Sequence, residues 1–203
     1  MTFKFTTVKK LYKGEFQYNI VLTLAFCDIF KGQDKTKYTR RYTKLCKAEP
    51  IPRYMTYYQP TALLYNYIMN MENFAIRVSA PTLYIYTNDY NDITNIRQLV
   101  PTLIDSIGLP PEGLTPGTVY MPNTPYDFRV TLGSISKLNL EFIEWADNNN
   151  DKIKLQPATK KLLSVKPNRY KTGSQLYVKG EHTLLFVKLH LGNIKLSIDR
   201  ILN

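Results

Sequence analysis

The sequence predicts an α+β fold in which antiparallel sheets carry helices on one face, laid out as two tandem split-βαβ halves. Three observations lead there. Along 203 residues the apolar pattern switches repeatedly between a period of 2 and a period of 3.6. A connection at 108–125 holds Pro110, Pro111, Pro116, Pro122 and Pro125 and separates two stretches with the same alternation of strand and helix. Hydrophobic residues make up 44% of the chain, enough to fill a packed core.

In chain order, Phe3 to Leu11 and Phe16 to Phe26 are expected as the two arms of a hairpin that turns at Gly14. Residues 27–59 show neither period and include Pro50 and Pro52, so they are expected as a long polar connection. Pro60 opens a helix from Thr61 to Met71, placed where a missing N–H is harmless. Phe74 to Val78 and Leu83 to Tyr86 are strands broken by Pro81. Asp89 caps a helix carrying Ile93, Ile96, Leu99, Val100, Leu103 and Ile107, which ends at Gly108. A short strand at Thr118 to Met121 follows. Tyr126 to Leu132 alternates as a strand, and a helix from Lys137 to Ala146, capped by Ser136, presents Leu138, Phe142 and Trp145 as an apolar stripe. Ile153 to Leu155 and Leu176 to Val178 are short strands, His182 to Leu191 is a helix closed by Gly192, and Ile194 to Ile198 is a final strand.

The order β-α-β-β-α-β followed by β-α-β-α-β fits two ferredoxin-like halves, 1–121 and 122–203, with one sheet face left open to a ligand. The first half then carries a long basic insertion at 27–59 and the second a basic loop at 152–171. Three strands share a pattern: Tyr18 to Leu24, Phe74 to Ala80 and Tyr126 to Leu132. Convergence on what a half-buried strand needs accounts for this, with duplicated βαβ units as the alternative.

The net charge of +11 is segregated. Residues 31–53 hold eight basic residues against two acidic, a net of +6, and residues 152–171 hold seven with no acid. The intervening span 54–147 is acidic, with four basic and nine acidic residues. Clustering of this kind is the footprint of a protein that neutralises phosphates. In the first segment cations alternate with tyrosines: Lys35, Lys37, Tyr38, Arg40, Arg41, Tyr42, Lys44, Lys47 and Arg53. Lysine and arginine neutralise phosphates while tyrosine rings stack on bases, the combination that holds single strands. The second segment supplies Lys152, Lys154, Lys160, Lys161, Lys166, Arg169 and Lys171 as backbone contacts.

Other chemistries find little support. Two histidines, His182 and His190, are a thin supply of general bases, and with Cys27 and Cys46 they make no recognisable zinc spacing. Neither GxxxxGK[ST] nor GxGxxG occurs, so no cofactor and no metal are expected. The paired acids Glu141 and Glu144 are expected on a solvated helix face. No run approaches the roughly 20 apolar residues of a membrane span, and the alternating N-terminus is unlike a signal peptide. The expected location is the cytoplasm (host cytoplasm or virion), with both cysteines as free thiols. A third of the chain is Lys, Asn, Tyr and Ile, residues of AT-rich codons, which suggests a viral or phage source.

The expected function is therefore non-enzymatic binding of single-stranded or structured nucleic acid. One alternative is a structural or assembly protein of a virion or larger complex, with protein partners. Another is a metal-independent RNA endonuclease: the tandem split-βαβ order is similar to that of CRISPR RNA-processing endonucleases, at the level of fold and without a shared motif.

Overall fold

The structure, a computed structural model, describes residues 3–47, 55–135, 139–164 and 173–203. The fold is α+β. The chain divides into two compact units, Met1–Glu112 and Gly113–Asn203, within the Pro/Gly-rich connection; the boundary expected at 121 lies further along.

In the first unit, β1 (Lys4–Thr7), β2 (Tyr18–Thr23), β3 (Phe74–Ser79), β4 (Thr82–Thr87) and β5 (Ile104–Leu109) form a sheet of order β1-β5-β2-β4-β3. Helices α1 (Lys35–Lys47) and α2 (Met55–Asn70) connect β2 to β3, and α3 (Tyr90–Leu99) connects β4 to β5. The second unit contains β6 (Thr118–Tyr120), β7 (Phe128–Leu132), α4 (Leu140–Asn148), β8 (Ile153–Leu155), α5 (Pro157–Ser164), β9 (Ser174–Val178), α6 (Glu181–Leu191) and β10 (Leu196–Leu202). Its sheet order is β6-β10-β7-β9-β8.

Numbered within each unit, the two sheets have one topology, 1-5-2-4-3. Four strands of each are antiparallel in the split-βαβ order, and the first strand adds to the edge parallel to the last. The expected all-antiparallel sheets are thus mixed. A parallel neighbour needs a long crossover, and the rest of the unit lies between β1 and β5 in the chain. Of the three similar strands, β2 and β7 occupy the same position in their units, whereas β3 does not.

Alternation decides which face is covered. Ile20 and Leu22 of β2, Ile76 of β3 and Leu83 and Ile85 of β4 pack with Leu64, Ile68, Ile93 and Ile96 from the helices. In the second unit Phe128, Val130, Leu176 and Val178 pack with Phe142, Leu163, Leu184 and Val187. Each such side chain, fully buried, contributes roughly 1.5–3 kcal/mol. The helices lie on that face.

Several local expectations change. The turn at Gly14 exists, with Lys13 and Gly14 at φ 55 and 75, but only Tyr12 and Phe16 bridge across it. The arms then part, because β2 pairs with β4 and β5 instead. Residues 35–47 are a helix, not a connection: Tyr38, Tyr42 and Leu45 recur at helical spacing and face the core. Pro60 lies inside α2, which extends upstream with Tyr58 packed on Phe26, 5.0 Å between ring centroids. Asp89 does cap α3, accepting from the Asn91 N–H at 2.8 Å, but the helix stops at Leu99. Pro101 drives Val100 out of the helical region (φ −137, ψ 54), and Ile104 and Ile107 belong to β5. Asn139 caps α4 through the Phe142 N–H; the expected cap Ser136 lies outside the described residues, as do Lys137 and Leu138.

Candidate nucleic-acid interface

Helix α1, KTKYTRRYTKLCK, has six cations and no acid. Its start is set by Asp34, whose carboxylate accepts from the Thr36 and Lys37 N–H groups at 2.9 and 3.3 Å. Those backbone bonds hold its pKa below the usual carboxylate range. Lys44 and Lys47 in the last turn complement the negative end of the helix dipole.

The helical repeat sorts the predicted residues into two groups. Lys37, Arg40, Arg41, Lys44 and Lys47 stand at i, i+3, i+4, i+7 and i+10, one face of a helix. Four of them, Lys37, Arg40, Arg41 and Lys44, line a shallow cavity of about 290 Å³. Among the described residues, Arg40, Lys44 and Lys47 have neither an ion pair nor a hydrogen bond, and Lys37 has only an exposed pair with Asp34 at 3.6 Å. Such a pair is weak and easily exchanged for a phosphate.

The other group is structural. Tyr38 is fully buried, edge-on to Phe30, with its hydroxyl donating to the Gly32 carbonyl. Burial pushes its pKa up to about 12. Tyr42 is half-buried and stacked on Tyr65 with centroids 4.0 Å apart. Neither ring is the open stacking platform expected of it, because helical spacing turns both away from the cations. Lys35 reaches across to the end of α2, where its Nζ donates to the Met69 and Met71 carbonyls at 2.7 and 2.6 Å. Arg41 donates to the Ile29 and Lys31 carbonyls, tying α1 to the preceding 3-10 turn while remaining at the cavity edge.

In the second unit the expected basic loop is part strand and part helix. Lys152 and Lys154 are exposed at β8, the edge strand. Lys160 and Lys161 lie on α5, which Thr159 ties to β9 by donating to the Gln175 carbonyl at 2.7 Å. Lys160 pairs with Asp147 at 2.5 Å; Lys161 is exposed. Arg53, Lys166, Arg169 and Lys171 lie outside the described residues. The two basic segments belong to different units.

The sheet faces turned away from the helices hold residues that the basic segments did not suggest. On the first, Arg77 of β3 lies over the Tyr84 ring of β4, 4.0 Å from its centroid. On the second, Tyr177 of β9 is flanked in register by Lys154 and Arg129. The alternation in Leu83-Tyr84-Ile85-Tyr86 was the available signal: once the leucine and isoleucine are core, the tyrosines must face outward.

His182 and His190 sit on exposed positions of α6, against Phe186 and Trp145 respectively. Cys27 is buried and Cys46 exposed, both as free thiols. Among the described residues no cluster of His, Cys, Asp or Glu could hold a metal ion, and no helix is long and apolar enough to cross a membrane. Comparison of the chain with protein-family models, with curated proteins and with solved structures gave no significant match.

Proposed function

We propose that this chain is a non-enzymatic nucleic-acid-binding protein that grips the backbone of single-stranded or structured RNA or DNA. The observation that carries this reading is the division of α1 into an inward aromatic face and an outward cationic one. The tyrosines anchor the helix, leaving Arg40, Lys44 and Lys47 without protein partners among the described residues. Cations held on a fixed helix face meet phosphates without ordering of the backbone, and each contact releases a condensed counterion. Lys152, Lys154 and Lys161 give the second unit its own contribution. Mobility-shift titration of labelled 20-mer RNA and DNA at 50 mM salt tests the reading. Retardation at micromolar protein supports it, and free probe throughout overturns it.

A second reading, a subunit of a larger assembly, has its own observation. Leu185, Phe186 and Leu189 on α6 and Leu140 on α4 are exposed apolar side chains. A discrete oligomer in sedimentation velocity, formed without nucleic acid, favours this reading.

A further inference from the structure

The two sheets share a topology, so the faces turned away from their helices correspond strand by strand. In the first, Ile20, Ile85 and Ile76 stand side by side across β2, β4 and β3 on the helix-covered face. In the second, Phe128, Val178 and Ile153 stand in the same register across β7, β9 and β8. One residue further along each strand the side chains point to the opposite face. There the row in the first unit is Val21, Tyr84, Arg77, and in the second it is Arg129, Tyr177, Lys154. A tyrosine on the fourth strand, with a cation beside it on the edge strand, therefore occurs on the outward face of both units.

Tyr84 packs beside the small cluster of Phe16, Ala75 and Tyr86, and Tyr177 lies 6.0 Å from the Tyr126 ring and accepts from Gln156 Nε2 at 3.2 Å, yet both tyrosines stay partly exposed, and Arg77 and Lys154 are exposed. Tyr86, the other outward tyrosine of β4, is 7% exposed beneath Tyr12, whose ring stacks on it at 3.7 Å. Tyr84 is thus the accessible ring of that pair, and Arg77 holds it in a fixed cation–π arrangement. Asp199 continues the row onto β10, where it is buried and paired with Arg129 at 2.9 Å, so the exposed part of this row is Tyr177 and Lys154.

We propose that the edge-strand side of each sheet face turned away from the helices is a nucleobase-stacking site, built on Tyr84 in the first unit and Tyr177 in the second, with Arg77 or Lys154 on the adjoining phosphate. The occupant is a single strand, because a planar ring beside a cation matches the alternation of base and phosphate, and a duplex hides its base faces. Guanidinium planes and tyrosine rings are both surfaces on which unpaired bases stack. This deepens the proposed function and rests on it: α1 supplies charge, and the sheets supply contact with bases.

The test compares two probes of equal length, a 12-mer of deoxythymidine and an abasic 12-mer, by fluorescence polarisation at 100 mM salt. The variants are Tyr84→Leu and Tyr177→Leu, which keep strand-compatible bulk, alongside Tyr84→Phe and Tyr177→Phe. Each leucine variant is expected to weaken the thymidine probe by roughly 5- to 150-fold, the loss of one stacked base. The phenylalanine variants should bind like wild type, and abasic binding should not change. Leucine variants that remain folded by circular dichroism and bind both probes like wild type would overturn the stacking sites and leave the proposed function standing. Equal losses on both probes would also overturn them, since the tyrosines would then act structurally. A change in self-association without a change in probe affinity would assign the faces to a second copy of the chain and refute the inference. Wild-type protein that binds neither probe would remove both readings together.

Discussion

Replacing Arg40, Lys44 and Lys47 together by glutamine separates the charge on α1 from its fold. All three are exposed, and among the described residues none donates to a carbonyl or carboxylate. Glutamine has nearly the same helix propensity as lysine and arginine, so α1 should form as before. Arg41 and Lys35 are left in place because they bond to the backbone at Ile29, Lys31, Met69 and Met71. Each phosphate contact on a single strand contributes about 0.7 to the log–log salt slope. Losing three should make the slope shallower by about 2 and, at 0.1 M salt, weaken binding by about 100-fold. Polarisation titrations of a labelled single strand between 50 and 200 mM salt read both quantities, with urea unfolding as the control. A folded variant with wild-type affinity and slope would show that α1 does not meet the phosphates.

Lys35→Met should do the reverse. It removes two charge-assisted bonds at the end of α2, so the first unit should lose about 2 kcal/mol in urea unfolding with nucleic-acid affinity unchanged. Tyr38 predicts an alkaline transition. Its folded pKa of about 12 lies above the unfolded value near 10, so its contribution is complete below pH 10 and is lost as pH rises towards 12. That share is about 3 kcal/mol, and the pH dependence of urea midpoints should be flatter in Tyr38→Phe than in wild type. Among the thiols, exposed Cys46 should react with a thiol reagent under native conditions, whereas buried Cys27, its pKa raised mainly by desolvation, should react only on unfolding.

What the sequence disclosed follows the range of the interactions involved. The cap at Asp89, the end of α6 at Gly192 and the hairpin of β3 with β4 depend on neighbours a few residues away, and their signals were local. The pairing of β1 with β5 joins Lys4 to Ser106, a separation no local pattern encodes. Apolar periodicity alone merged α3 with β5, because Ile93, Ile96, Val100 and Ile107 satisfy a helical repeat; Pro101 was the sharper signal. The candidate interface was half legible. Composition located the cations of α1, but weighing tyrosines by adjacency to cations selected Tyr38 and Tyr42. Their i, i+4 spacing, continued by Leu45, assigns them to the core instead. Tyr84 and Tyr177 became candidates only when registry placed Arg77 and Lys154 beside them.

The central claim is that exposed cations of this chain neutralise phosphates, and the salt dependence of wild-type binding to a single strand tests it most directly. Lys37, Arg40, Lys44 and Lys47 on α1, with Lys152, Lys154 and Lys161 in the second unit, are exposed. If all seven engage, the log–log slope should be about −5. A slope near zero, or no binding at 50 mM salt, would contradict the account.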